Sequence, residues 1–161
     1  MIDRPDRRAR CGRLSALVLV SASLTVLGCK KAPDGPAPVV WDKEACGYCK
    51  MHVGDRAFAA QLQLEGGQVL NFDDPGCLFK YLHEKKPRVH ATYFRHHQKD
   101  AWLAASEAGF VAVKASPMGF NVGAVEKGAA GAFPVAEAQQ RVTGGKSPST
   151  GAPPATGHGN H

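Results

Sequence analysis

Seven consecutive residues, Cys46-Gly47-Tyr48-Cys49-Lys50-Met51-His52, carry two thiols, a thioether and an imidazole. Two cysteines separated by two residues can aim both sulfurs at one centre, and a methionine two places further on adds a soft neutral donor. Thiolate together with thioether selects Cu(I) over hard cations, whereas four thiolates or a Cys/His set would favour zinc. No second pair of closely spaced cysteines exists to complete a zinc knuckle. Thiol–disulfide exchange, a structural disulfide and zinc stay open as other readings of the pair. The pair precedes any recognisable helix and has no strand upstream, which departs from the thioredoxin-like order, so the spacing favours copper.

Other donors are scattered. The sequence has five cysteines; Cys11 lies in an N-terminal leader and Cys29 is the expected lipidation site directly after it, which leaves Cys46, Cys49 and Cys77. Three is odd, so at least one has no intramolecular partner. Cys77 falls at the third position of an expected helix, where the helix dipole favours a thiolate. An uncharged cysteine packing beside Leu78 and Phe79 is the commoner outcome, so Cys77 is kept only as an additional metal candidate. Met118, between a proline and a glycine, reads in isolation as core filler. Of seven histidines only His52 is within reach of the cysteine loop. His96 and His97 read as a solvated turn, His83 and His90 as structural or exposed, and His158 and His161 as tail residues.

The chain of 161 residues has 20 Lys and Arg against 14 Asp and Glu, a formal charge of +6. Arg4, Arg7, Arg8, Arg10 and Arg13 precede an apolar run over 14–27, with Asp3 and Asp6 the only acids among them. This pattern is a secretory signal, because a membrane span needs about 20 apolar residues. The run ends in Val26-Leu27-Gly28-Cys29, which looks like a lipobox with Cys29 as the lipidated residue; 1–28 is then the signal peptide. Lys30 offers no inner-membrane retention signal, so the expected location is a lipoprotein facing the periplasm, on the outer membrane. Removing the leader leaves 15 basic against 12 acidic residues, without interleaved aromatic residues, and excludes a nucleic-acid partner.

Residues 29–38 read as a flexible tether rich in proline, and 143–161 as a disordered tail of Gly, Pro, Ser and Thr. One small domain remains over 39–142. Alternation over 57–64 and 68–73, with Gly66-Gly67 between them, predicts a hairpin. Asp74 as cap and Pro75 as first residue open a helix to about Glu84, with Leu78, Phe79 and Leu82 on one face. Strands are expected over 89–95, 110–114 and 120–125, a turn or short helix over 100–108, and a helix over 134–142. Strands outnumber helices and arrive as hairpins, so the fold class is α+β with a small antiparallel sheet domain. The capping role explains Asp74, and Asp73 beside it points to the opposite face.

Four stretches together resemble the NosL-type accessory proteins of nitrous oxide reductase maturation. They are the lipobox at Cys29; Cys46-Gly47-Tyr48-Cys49-Lys50-Met51; Asn71-Phe72-Asp73-Asp74-Pro75-Gly76-Cys77-Leu78-Phe79-Lys80-Tyr81-Leu82; and Ser116-Pro117-Met118-Gly119-Phe120. The resemblance implies a membrane-anchored periplasmic copper chaperone that binds Cu(I) and delivers it to nitrous oxide reductase or its maturation transporter. It implies a fold similar to the organomercurial lyase core, built from two related ββα-type units. By position, Cys46, Cys49 and Met51 match the family's copper motif, and Met118 matches the methionine of its Pro-Met-Gly loop. No nucleophile, base and orienting group occur together, so no catalysis is expected. The chain departs from the family after Gly144-Gly145, where a closing strand is expected and the Pro/Gly/Ser tail begins instead. Two other functions remain to be weighed: a periplasmic thiol–disulfide oxidoreductase using the Cys46/Cys49 pair, and a lipid-anchored interaction protein. A copper carrier for a different client is a variant of the first reading.

Overall fold

The computed structural model describes residues 33–144. The signal peptide, Cys29, His158, His161 and the tail beyond Gly144 lie outside the described residues. Strand β1 (Ala60–Leu64) and strand β2 (Val69–Phe72) form the expected hairpin, with Gln61 opposite Asn71 and Leu62 opposite Leu70. Gly67 turns the chain at φ 78°, a left-handed conformation that glycine adopts without steric cost. Helix α1 (Pro75–Lys85) follows directly, and the Asp74 side chain caps it by accepting from the Gly76 amide at 2.8 Å.

Strand β3 (Val89–Arg95) returns along the free side of β1, and β4 (Trp102–Ala104) adds to β3, giving the order β2-β1-β3-β4. The stretch 100–108 is therefore strand, turn and strand rather than a turn or short helix. Its alanine-rich composition favours a helix, but the open edge of β3 offers backbone partners, with Leu103 opposite Phe94, and that pairing overrides local propensity.

A second sheet joins β5 (Ala108–Ala112), β6 (Val122–Glu126) and β7 (Phe133–Pro134) in the order β6-β5-β7, followed by helix α2 (Val135–Thr143). The architecture is α+β with two small antiparallel sheets and two helices. A hairpin followed by a helix occurs twice, as β1-β2-α1 and as β5-β6, then β7, α2. In the first unit a strand after the helix, β3, pairs with β1. In the second, no strand follows α2 among the described residues, and two-residue β7 takes that place beside β5.

The units share one core. Phe79 of α1, Phe94 of β3 and Phe110 of β5 meet with ring centroids 4.9 to 5.6 Å apart. All three are fully buried, and α1 packs against α2. The outer face of β1 is polar yet buried, because the chain before the domain lies on it. Gln61 exchanges hydrogen bonds with the Ala37 backbone at 2.7 and 3.0 Å, and Gln63 donates to the Gly35 carbonyl at 2.6 Å. The last residues of the expected tether are thus held against β1. No helix among the described residues is long and apolar enough to cross a membrane.

His96 is 2% exposed, which corrects the expectation of a solvated pair at 96–97. Its ring accepts at Nδ1 from the Gln98 amide and lies 2.9 Å from Glu126 through Nε2. The backbone bridge from His96 to Ala124 joins the two sheets and buries the ring between them.

Candidate metal centre

The cysteine loop is a closed turn. Ala45 and His52 form a backbone bridge, the Cys46 amide donates to the Met51 carbonyl at 2.7 Å, and Lys50 takes a left-handed φ of 68°. This closure brings Cys46 and Cys49 to the inner side of the turn. The loop is seated on the end of β2, where the Gly47 amide donates to the Asn71 carbonyl at 2.8 Å. A Cβ on residue 47 would stand 2.9 Å from Cε1 of Phe72, so the fully buried ring would have to shift to admit one. Tyr48 reaches α1 through a 2.7 Å hydrogen bond to Glu84. Asn71 also donates to Glu44 and accepts from Gln61, so the end of β2, the loop and β1 share one polar network.

The loop's exit is fixed by Asp73, whose Oδ1 accepts from the Gly54 and Asp55 amides at 2.8 and 3.2 Å. Asp74 points the other way, capping α1 with Oδ1 and accepting from the Met118 amide at Oδ2, 3.0 Å. Burial pushes the Asp74 carboxyl up, opposed by the Ser116 hydroxyl and by these two amides.

Cys77 lies in the first turn of α1 and completes the centre. The sulfurs of Cys46, Cys49 and Cys77 all lie within 4.8 Å of one another, with Cys46 and Cys77 buried and Cys49 half-buried. All three are free thiols. The hydrogen bond from Cys77 holds the Cys46 thiol down at about 5, against the opposing effect of burial and with help from the Asp73, Tyr48 and Cys49 backbone. The same contact, with burial, pushes Cys77 up, and burial is the main cause that raises Cys49. Without metal the cluster is one thiolate beside two thiols, so metal binding releases protons and tightens as pH rises. Three sulfur donors suit a soft ion.

The remaining candidates are placed differently. Met51 is 56% exposed, and His52 is exposed and does not join the three thiols. Met118 is half-buried and packs against the core that contains Cys46 and Cys77. Sequence spacing underweights Cys77. The Asp74-Pro75 start signal does locate its thiol at a helix N-terminus, but nothing local shows that this turn faces the loop 28 residues earlier.

A small two-sheet α+β domain with a three-thiol centre, two of its thiols buried, is the class defined by this fold and site. It is similar in fold to the crystal structure of the copper chaperone NosL from Shewanella denitrificans: TM-score 0.51, 20% sequence identity, covering 60% of this chain and 82% of that one. The likeness read from the four motifs is thus met by a likeness of fold. No family model matches the sequence, and no curated protein does.

Proposed function

We propose that this chain is a copper carrier of the cell envelope, holding one Cu(I) as cargo at Cys46, Cys49 and Cys77 and passing it on by ligand exchange. The observation that carries this reading is the convergence of three sulfurs within 4.8 Å of one another, two of them buried. Soft sulfur ligands keep copper in its reduced state and exclude hard cations. The half-buried Cys49 is the open side through which a partner's sulfur or imidazole enters, and exposed Met51 and half-buried Met118 are the thioethers available to that exchange. The fold likeness to a protein named as a copper chaperone supports the same reading. The motifs shared with NosL-type proteins extend the proposal to a client, nitrous oxide reductase or its maturation transporter, and to a lipid anchor at Cys29 in the outer membrane, facing the periplasm.

Thiol–disulfide exchange is the second reading, favoured by the lowered Cys46 thiol. Exchange requires an accessible thiolate, and Cys46 has no exposed surface, which weighs against it.

An anaerobic Cu(I) titration of the purified protein against a competing chelator tests the carrier reading. Single replacement of Cys46, Cys49 or Cys77 by serine is expected to weaken binding, with M51A and M118A reporting the thioethers. Unchanged affinity in all five variants would refute the site. Catalytic insulin reduction by the wild-type chain, lost in C46S, would favour the oxidoreductase instead.

A further inference from the structure

Two contacts clamp the 116–120 loop onto the first turn of α1. The Met118 amide donates to Oδ2 of Asp74 at 3.0 Å while Oδ1 of the same carboxylate accepts from Gly76 at 2.8 Å. The Phe120 ring lies over Gly76 so closely that a Cβ on residue 76 would fall 2.1 Å from Phe120 Cγ. Ser116 stiffens the loop from within by accepting from the Asn121 amide at 2.9 Å. Both clamped positions on α1 lie within three residues of Cys77, and Asp74 itself is fully buried.

We propose that Asp74 is a positioning residue for the metal centre, joining the Met118 loop to the helix turn that carries Cys77 so that the Met118 thioether is held beside the three thiols. The proposal rests on the copper reading above and adds the means by which a fourth sulfur, 41 residues away from Cys77 in sequence, is held in register with it. A carboxylate is needed because both oxygens accept a backbone amide at once. Capping alone would need one oxygen, which asparagine or serine supplies equally well. Outer partners of this kind typically contribute about 10- to 100-fold to metal affinity when they orient a ligand.

D74N separates the two roles, since asparagine keeps the cap but turns its amide group toward the Met118 amide. G76A is the companion variant: it leaves the carboxylate intact and displaces Phe120. In the purified full-length chain, each is expected to weaken Cu(I) binding about 10- to 100-fold and to lower the number of sulfurs seen by copper X-ray absorption. If Asp74 acts through Met118, the double variant D74N/M118A binds no more weakly than M118A alone. Amide hydrogen exchange on the metal-free chain supplies a second readout, with Met118 protected in the wild type and exchanging freely in D74N. Wild-type affinity in folded D74N, or losses that multiply in the double variant, would overturn the proposal. Wild-type affinity in M118A would overturn it too, while leaving the three-cysteine site standing on the serine variants. If the serine variants also bind as wild type, the copper reading falls with it.

Discussion

Replacing Cys77 with alanine probes the electrostatic core of the centre. The Cys77 thiol is the largest influence on Cys46, drawing it from the usual 9.0 down to about 5, and the largest opposing influence is burial. At pH 7 a thiol at about 5 is ionised by roughly a hundred to one, whereas one at 9.0 is protonated by a similar ratio. C77A removes the largest lowering contact and leaves burial opposed only by the backbone of Asp73, Tyr48 and Cys49, so the thiolate population at neutral pH should fall. Thiolate ultraviolet absorbance of the reduced, metal-free protein reads this directly. The wild type should show one thiolate titrating near pH 5, and in C77A that titration should move up toward the ordinary thiol range. C77S, which retains a hydroxyl donor, should fall between them. Stability follows with a definite sign. Cys46 is lowered on folding, so its contribution is complete above the unfolded value of 9.0 and is lost as pH falls through about 5. Between those limits wild-type stability should rise with pH, and in C77A that rise should flatten. A low-pH thiolate that survives in C77A would refute the assignment of Cys77 as the donor and return the effect to the backbone amides.

Two further perturbations address the scaffold. G47A places a methyl group 2.9 Å from the Phe72 ring and should cost about 1–3 kcal/mol in denaturant unfolding while weakening Cu(I) binding, because the cysteine loop must lift from β2; full stability and affinity would show that the loop is not seated as described. F110A removes the ring shared by Phe79 and Phe94 and should cost about 3–5 kcal/mol, with both sheets unfolding in one transition; two separate transitions would contradict a common core.

Much of the first unit was legible in the sequence because its signals are local. Gly66-Gly67 between two alternating runs, and Asp74-Pro75 before an apolar face, each specify their own backbone conformation, and β1, β2 and α1 follow them. The second unit was less legible. Residues 102–104, inside an alanine-rich stretch, are strand only because β3 has a free edge, and β7 is two residues whose pairing with β5 leaves no periodicity to detect. His96 looked solvated between polar neighbours, yet a backbone bridge to Ala124 buries it.

By itself the sequence determined the α+β class, the loop that bears two thiols, the helix start that carries a third and the likeness to NosL-type proteins. Each is a matter of spacing within a few residues, where covalent geometry and local propensity dominate. Only the tertiary structure decided that Cys77 meets Cys46 and Cys49, that His52 stays outside, and that one carboxylate joins Met118 to the turn of Cys77. Those relations depend on how β2 delivers α1 beneath the cysteine loop and how the second sheet returns the 116–120 loop to that helix. Contacts across 28 and 41 residues are set by packing, which one-dimensional spacing does not encode.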